Sequence, residues 1–137
     1  WIAGDSPPTQ ELMTDHGDVW FMYSKAPAAV AELVVGMRKR RKDPPFQVAV
    51  SAVGLADKSK DETLQWAQMY ADERKHRFPI PPTVDDVLKS NLSGDKTEVR
   101  DRIDAWVEAG VDHVVIQPMP PMEGTRFFGE KILHRYA

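Results

Sequence analysis

The chain has 137 residues, 42% hydrophobic and 28% charged, enough for one ordinary domain with a sizeable core. A formal net charge of -3 gives no reason to expect a nucleic-acid or anionic-membrane surface, and no apolar run approaches the roughly 20 residues of a membrane span. With no cysteine, disulfides, thiolate metal sites and cysteine nucleophiles are excluded. His16, His76, His113 and His134 include no pair at metal-ligand spacing, so no metal site is expected. The absence of cysteine and of a visible signal peptide fits a cytoplasmic protein.

Trp1-Ile2-Ala3-Gly4 reads as the end of a buried strand. Pro7 or Pro8 suits the first turn of a short helix through Glu11-Leu12-Met13, since proline there gives up no needed N–H; Gly17 is the expected stop. Val19 to Tyr23 is a second apolar strand, rich in aromatics. Pro27 opens a longer helix with Val30, Leu33, Val34 and Met37 on one face. It runs out through Arg38-Lys39-Arg40-Arg41-Lys42. That cluster complements the helix dipole, and its other reading is a phosphate or nucleic-acid patch. Asp43-Pro44-Pro45 then breaks the chain.

Phe46 to Ala56 is a third strand, a near-continuous apolar run typical of a parallel strand buried on both faces. Lys60 to about His76 reads as a helix carrying Leu64, Ala67 and Ala71, with Trp66 and Tyr70 alongside. Phe78-Pro79-Ile80-Pro81-Pro82 is a rigid extended connection, and Thr83 caps a short helix around Val84 to Leu88. Leu92-Ser93-Gly94-Asp95 leads into a helix from Lys96 to Ala109, with Val99, Ile103, Trp106 and Val107 as its core-facing stripe and Gly110 as its stop. Asp112 to Pro118 is a fourth strand. A closing helix carries Phe127, Phe128, Ile132 and Leu133.

Strand and helix thus alternate four times, which predicts α/β architecture with parallel strands. No repeat, low-complexity segment or linker divides the chain, so residues 1–137 are expected to form a single partial domain. Starting on a strand and ending on a helix, with four βα units, it reads as half of an eight-unit barrel.

In parallel α/β proteins ligands bind where strands end and helices begin. The first such turn, Gly4-Asp5-Ser6-Pro7-Pro8-Thr9, joins a glycine, two hydroxyl residues and a helix N-terminus, a combination that suits an anion. Gly4 lets the backbone approach, and Ser6 and Thr9 can donate hydroxyl hydrogen bonds to phosphate oxygens. Asp5 argues against a side-chain phosphate contact, so its part is assigned to backbone. Ser6 as a plain helix cap is the other reading.

The stretch IAGDSPPTQELMTDHGDVWFMYSKAP resembles the corresponding stretch of the bacterial luciferase-like flavin monooxygenases, particularly their alkanesulfonate monooxygenase branch. Leu92-Ser93-Gly94, a helix, and then EAGVDHVVI resemble that family's last βα unit, and PMPPMEGTRFFGEKIL is similar to its closing pattern. The resemblance implies a (β/α)8 TIM barrel that binds FMN, or in one branch F420, at the C-terminal ends of its strands. It implies a two-component enzyme that takes reduced FMN from a separate flavin reductase and uses O2 to oxidise a small organic substrate, a sulfur compound among the candidates. Gly4, Asp5, Ser6 and Thr9 would hold the flavin phosphate, Thr9 as hydroxyl donor; Tyr23, near the C-terminal end of the second strand, reads as a wall for the flavin or as core or rim packing. The chain matches the family barrel's C-terminal half, with Trp1 starting strand five, and the missing methionine fits a fragment or cleaved chain. The N-terminal half of the barrel is then an implied partner, and two open sheet edges lead us to expect a homo-oligomer.

Where some family members carry a histidine or arginine, this chain reads Ala49-Val50-Ser51-Ala52, so no catalytic residue is assigned. Ser51 reads as barrel filling or as a hydrogen-bonding group, and Gln117 as a rim residue or a cofactor contact. His113 reads as structural, at the wrong end of a barrel for catalysis. Arg74, Lys75, His76 and Arg77 read as a solvated helix end; in the family this region is an insertion that supplies basic groups to an anionic substrate. The tryptophans and methionines at helical spacing read as core. An F420-dependent oxidoreductase of the same fold and a non-catalytic half-barrel binding module are the alternatives.

Overall fold

The computed structural model describes residues 1–41 and 43–136. Lys42, the last of the basic run, and Ala137, the last residue of the expected partial domain, lie outside the described residues. Five strands form one parallel sheet: β1 (Ile2–Ala3), β2 (Val19–Tyr23), β3 (Gln47–Ala56), β4 (Leu92–Gly94) and β5 (His113–Pro118). The helices are α1 (Pro7–His16), α2 (Pro27–Arg40), α3 (Lys60–Arg74), α4 (Val84–Ser90), α5 (Lys96–Glu108) and α6 (Pro121–Phe127). The last runs on through a π turn, Phe128–Ile132, and a 3-10 turn, Leu133–Arg135.

The long strand β3 is the hub. Its first half pairs with β2, from Val19 opposite Gln47 to Tyr23 opposite Ser51. Its other edge pairs with β5, from Ala49 opposite His113 to Gly54 opposite Pro118. The short strand β4 was expected only as a lead-in to a helix. It forms because β2 stops at Tyr23 while β3 continues, leaving backbone groups that must be paired. Asn91 Oδ1 accepts the Val53 N–H at 3.0 Å, and the Gly94 carbonyl accepts the Asp57 N–H at 3.2 Å, so this segment takes over the edge that β2 vacates.

Alternation along the strands separates two faces. Trp20, Met22, Val48, Val50 and Ala52 face one way and pack against Met13 of α1, Val30, Val34 and Met37 of α2, Val99, Ile103 and Trp106 of α5, and Phe128 and Ile132. Each such fully buried side chain contributes about 1.5–3 kcal/mol relative to exposure. On the other face, Val53 and Leu55 lie under α3 and α4, against Trp66, Ala67, Ala71 and Val87. The rest of that face is only partly covered: Val19 and Ala49 are buried, while Tyr23 is 79% and Trp1 67% exposed, the latter against the expectation of a buried first strand.

Three further expectations are corrected. Val107, 53% exposed, stands outside the core-facing stripe expected of it; Leu64 and Leu133, carried by their helices, are exposed too. On α3 the buried positions are Thr63, Trp66, Ala67 and Ala71, because the larger Trp66 ring faces the sheet. Gly17 ends α1 as expected, but with φ -92, outside the left-handed region; a Cβ there would overlap the Met13 thioether, so close packing explains the glycine. The expectation that tryptophans and methionines at helical spacing are core holds for Trp66, Trp106, Met13 and Met37, and fails for Met69 and Met122 on the surface.

The basic run at the end of α2 acts as a clamp. Arg41 donates from Nη1 to the Gly17 carbonyl and, at 3.2 Å, to that of Met13; its Nε donates to Pro44 O at 2.9 Å. Arg40 donates to Gln10 Oε1 at 3.0 Å. Arg41 is thus spent on carbonyls at the C-terminal end of α1, where a cation complements that helix's dipole, and Arg40 on a side-chain amide.

Candidate functional site

The turn between β1 and α1 sits at the C-terminal end of its strand, as does the turn between β2 and α2 beside it. Gly4 carries the chain out of β1 with φ +121, a conformation that L side chains rarely adopt. Its N–H donates to Phe21 O at 2.8 Å, and its carbonyl accepts the indole Nε1–H of Trp20 at 2.7 Å. A Cβ on Gly4 would approach the Thr9 side chain at 3.2 Å, so the glycine keeps the ground in front of Thr9 clear.

Ser6 occupies the N-cap position but makes no side-chain cap; its Oγ lies 2.9 Å from Thr9 Oγ1. The hydroxyl pair therefore faces itself across the first helical turn. Pro7 and Pro8 bring no N–H to that turn, so Thr9 is the first residue of α1 able to offer a backbone donor. The Ser6 carbonyl accepts Gln10 N at 2.9 Å and the Asp5 carbonyl accepts Gln10 Nε2 at 2.8 Å, fixing the turn from below.

Asp5 introduces a partner that sequence reading missed. Its Oδ2 lies 2.6 Å from Lys25 Nζ, across from the β2–α2 turn. The Lys25 carbonyl accepts the Nε1–H of the fully buried Trp106 at 2.9 Å. The pairs of residues are 20 and 81 positions apart in sequence, and no local pattern signals either contact.

The remaining candidates are distributed along the open face. Tyr23, 79% exposed, stands at the end of β2 in one register row with Ser51 and Val115. Ser51 is half-buried and its carbonyl accepts Ser24 N–H at 2.9 Å. Gln117 is exposed one row further on, beside Val53. His113 lies at the opposite strand end, 3.1 Å from Gln47 Oε1 and with its ring 5.7 Å from that of Trp1. The structure thus brings Gly4, Asp5, Ser6 and Thr9 into one turn and sets Tyr23 on the neighbouring strand.

The α3 end is largely self-satisfied. The Arg74 guanidinium stacks 3.3 Å over the Tyr70 ring, which is itself 5.0 Å from that of Trp66, and Lys75 pairs with Asp72. His76 and Arg77 are exposed beside Phe78 and Ile80. A concavity of about 590 Å³ between α3, α4, β4 and α5 contains none of the candidate residues. Its Arg102 donates to the carbonyls of Leu88 and Lys89, and burial pushes that guanidinium's pKa down. No metal-binding group of three or more His, Asp or Glu occurs among the described residues, and no helix there is long and apolar enough to cross a membrane.

A family model described as luciferase-like monooxygenase matches residues 1–113. No curated protein matches the sequence. Among solved structures the chain is similar to the coenzyme F420-dependent tetrahydromethanopterin reductase of Methanopyrus kandleri (TM-score 0.70, 14% identity, 98% of this chain and 50% of that one). It is also similar to the EDTA monooxygenase of Chelativorans sp. BNC1 (0.68, 17%, 97% and 44%) and to a riboflavin lyase solved with modified FMN and riboflavin (0.67, 18%, 97% and 41%). At these identities the likeness shows the fold: half of a (β/α)8 barrel. The chain spans half or less of the length of each of these three structures.

Proposed function

This chain belongs to the luciferase-like monooxygenase family, and we propose that it forms the C-terminal, phosphate-anchoring half of a flavin-dependent monooxygenase barrel. Its substrate would be a small organic molecule, oxidised with O2, with reduced FMN delivered by a separate reductase. The observation that carries the reading is the Ser6–Thr9 hydroxyl pair, 2.9 Å apart at the start of α1, with the space before Thr9 kept free by Gly4. Such a turn fits a phosphate: the hydroxyl hydrogen left free by the Ser6–Thr9 pair and the Thr9 N–H are the donors, and the N-terminal end of the helix dipole favours negative charge. Tyr23 on the adjacent strand would lie against the flavin ring. Reduced FMN, when bound, supplies the electrons that activate O2. This chain's share is to anchor the phosphate and to shield one side of the site from water.

The open face bearing Trp1, Tyr23 and Val115 supports an N-terminal half-barrel as the covering partner. A second reading, an F420-dependent oxidoreductase of the same fold, draws on the likeness to the F420-dependent reductase. A flavin titration of Thr9→Ala tests the anchoring role common to both. Loss of a hydrogen bond to a charged group is expected to weaken FMN binding by about 1 kcal/mol or more; unchanged affinity removes the phosphate assignment.

A further inference from the structure

We infer that Lys25 is the cationic member of the anion site at the Ser6–Thr9 turn, held in place by Asp5; this rests on the phosphate reading above. The argument starts from what the turn lacks. A helix N-terminus ordinarily offers several free N–H groups to an anion, but Pro7 and Pro8 remove two of them here. Asp5, directly before Ser6, adds a negative charge that opposes a phosphate. Hydroxyls and one backbone donor are a thin set for an anion beside a carboxylate.

The tertiary structure supplies the missing charge. Lys25 Nζ lies 2.6 Å from Asp5 Oδ2, which cancels the carboxylate's charge and brings the ammonium to the residue preceding Ser6. One of its three N–H groups serves Asp5, leaving two for a further acceptor. The side chain is 35% exposed, so much of its stem is covered while the head stays at the surface. The backbone below is pinned twice: Trp106 Nε1 donates to Lys25 O at 2.9 Å, and Ser24 N–H donates to Ser51 O at 2.9 Å. The ammonium thus comes from the neighbouring β2–α2 turn at the same end of the sheet and is held at Asp5, the residue that precedes Ser6.

A purely structural ion pair makes a different prediction, and the two separate in binding experiments on the full chain. FMN and riboflavin, which differ by the phosphate, are titrated against wild type, Lys25→Gln, Lys25→Arg and Thr9→Ala. The expected result is a rise of about tenfold or more in the FMN Kd for Lys25→Gln. Riboflavin affinity is expected to stay unchanged, Lys25→Arg to restore most FMN binding, and the salt dependence of FMN binding to flatten in Lys25→Gln. If Lys25→Gln binds FMN like wild type while Thr9→Ala does not, the Lys25 assignment is overturned and the phosphate reading stands. Equal weakening of FMN and riboflavin also overturns it, as the mark of a structural role. If wild type binds FMN no more tightly than riboflavin, the phosphate reading fails and the inference falls with it.

Discussion

The indole N–H of Trp20 donates to the Gly4 carbonyl at 2.7 Å, tying the fully buried interior of β2 to the turn that leaves β1. A buried tryptophan must place its N–H on an acceptor. Here that requirement positions the glycine whose backbone opens the candidate anion site. Trp106 does the same for Lys25 from α5. The two largest fully buried side chains therefore shape the two adjacent turns, and core packing becomes site geometry.

Trp20→Phe keeps an aromatic ring in the core and leaves the Gly4 carbonyl without its partner. Destabilisation of about 1–3 kcal/mol is expected in urea unfolding. Amide signals from Gly4 to Thr9 should shift more than those of α5; a change confined to the core around Met22 would refute the tie between core and turn.

Ser6 and Thr9 act on one another at 2.9 Å, so their contributions to flavin binding should not be additive. In a double-mutant cycle with Ser6→Ala and Thr9→Ala, a coupling of about 0.5 kcal/mol or more is expected in FMN titrations. Strict additivity would mean that the two hydroxyls serve the ligand independently.

Asn91 is 95% buried, and its side chain replaces a strand: Oδ1 accepts Val53 N–H and Nδ2 donates to Val87 O, both at 3.0 Å. Asn91→Ala strands a buried donor and a buried acceptor, with an expected cost of about 1–3 kcal/mol for each. Denaturant unfolding reads the total, and hydrogen exchange at Val53 should rise well above that at Val50. Exchange at Val53 unchanged from wild type would show that β4 holds this edge without the asparagine.

Acid should fray α3 and α4 at their starts. The Ser59 N–H and hydroxyl hold the Glu62 carboxyl below its ordinary pKa, and the Thr83 hydroxyl and N–H do the same for Asp86. A carboxyl lowered in the folded state contributes stability above its unfolded value, and that stability is lost as pH falls through the lowered folded value. Exchange at the Glu62 and Asp86 amides should therefore accelerate below about pH 4, while that of Val99 lags. The same profile in Glu62→Gln and Asp86→Asn as in wild type would remove the two carboxylates as the cause.

What could be read without the structure was what neighbours in sequence decide. Helix starts at Pro27 and Thr83, the stop at Gly110, the buried run of β3 and the parallel alternation of strand and helix all follow from short-range sterics, capping and periodicity. The Gly4-Asp5-Ser6-Pro7-Pro8-Thr9 turn belongs to this class, since its glycine, hydroxyls and helix start are contiguous. Other features depend on groups far apart in the chain. Leu64 and Val107 satisfy helical spacing yet face outward, because which flank of a helix meets the sheet depends on the elements packed against it. Strand β4 exists only because β2 ends before β3 does. The Asp5–Lys25 pair joins two turns that the parallel pairing of β1 and β2 sets side by side, and Trp106 reaches Lys25 from 81 residues away. Local chemistry was enough to build the turn, but only the assembled sheet could bring it a positive charge.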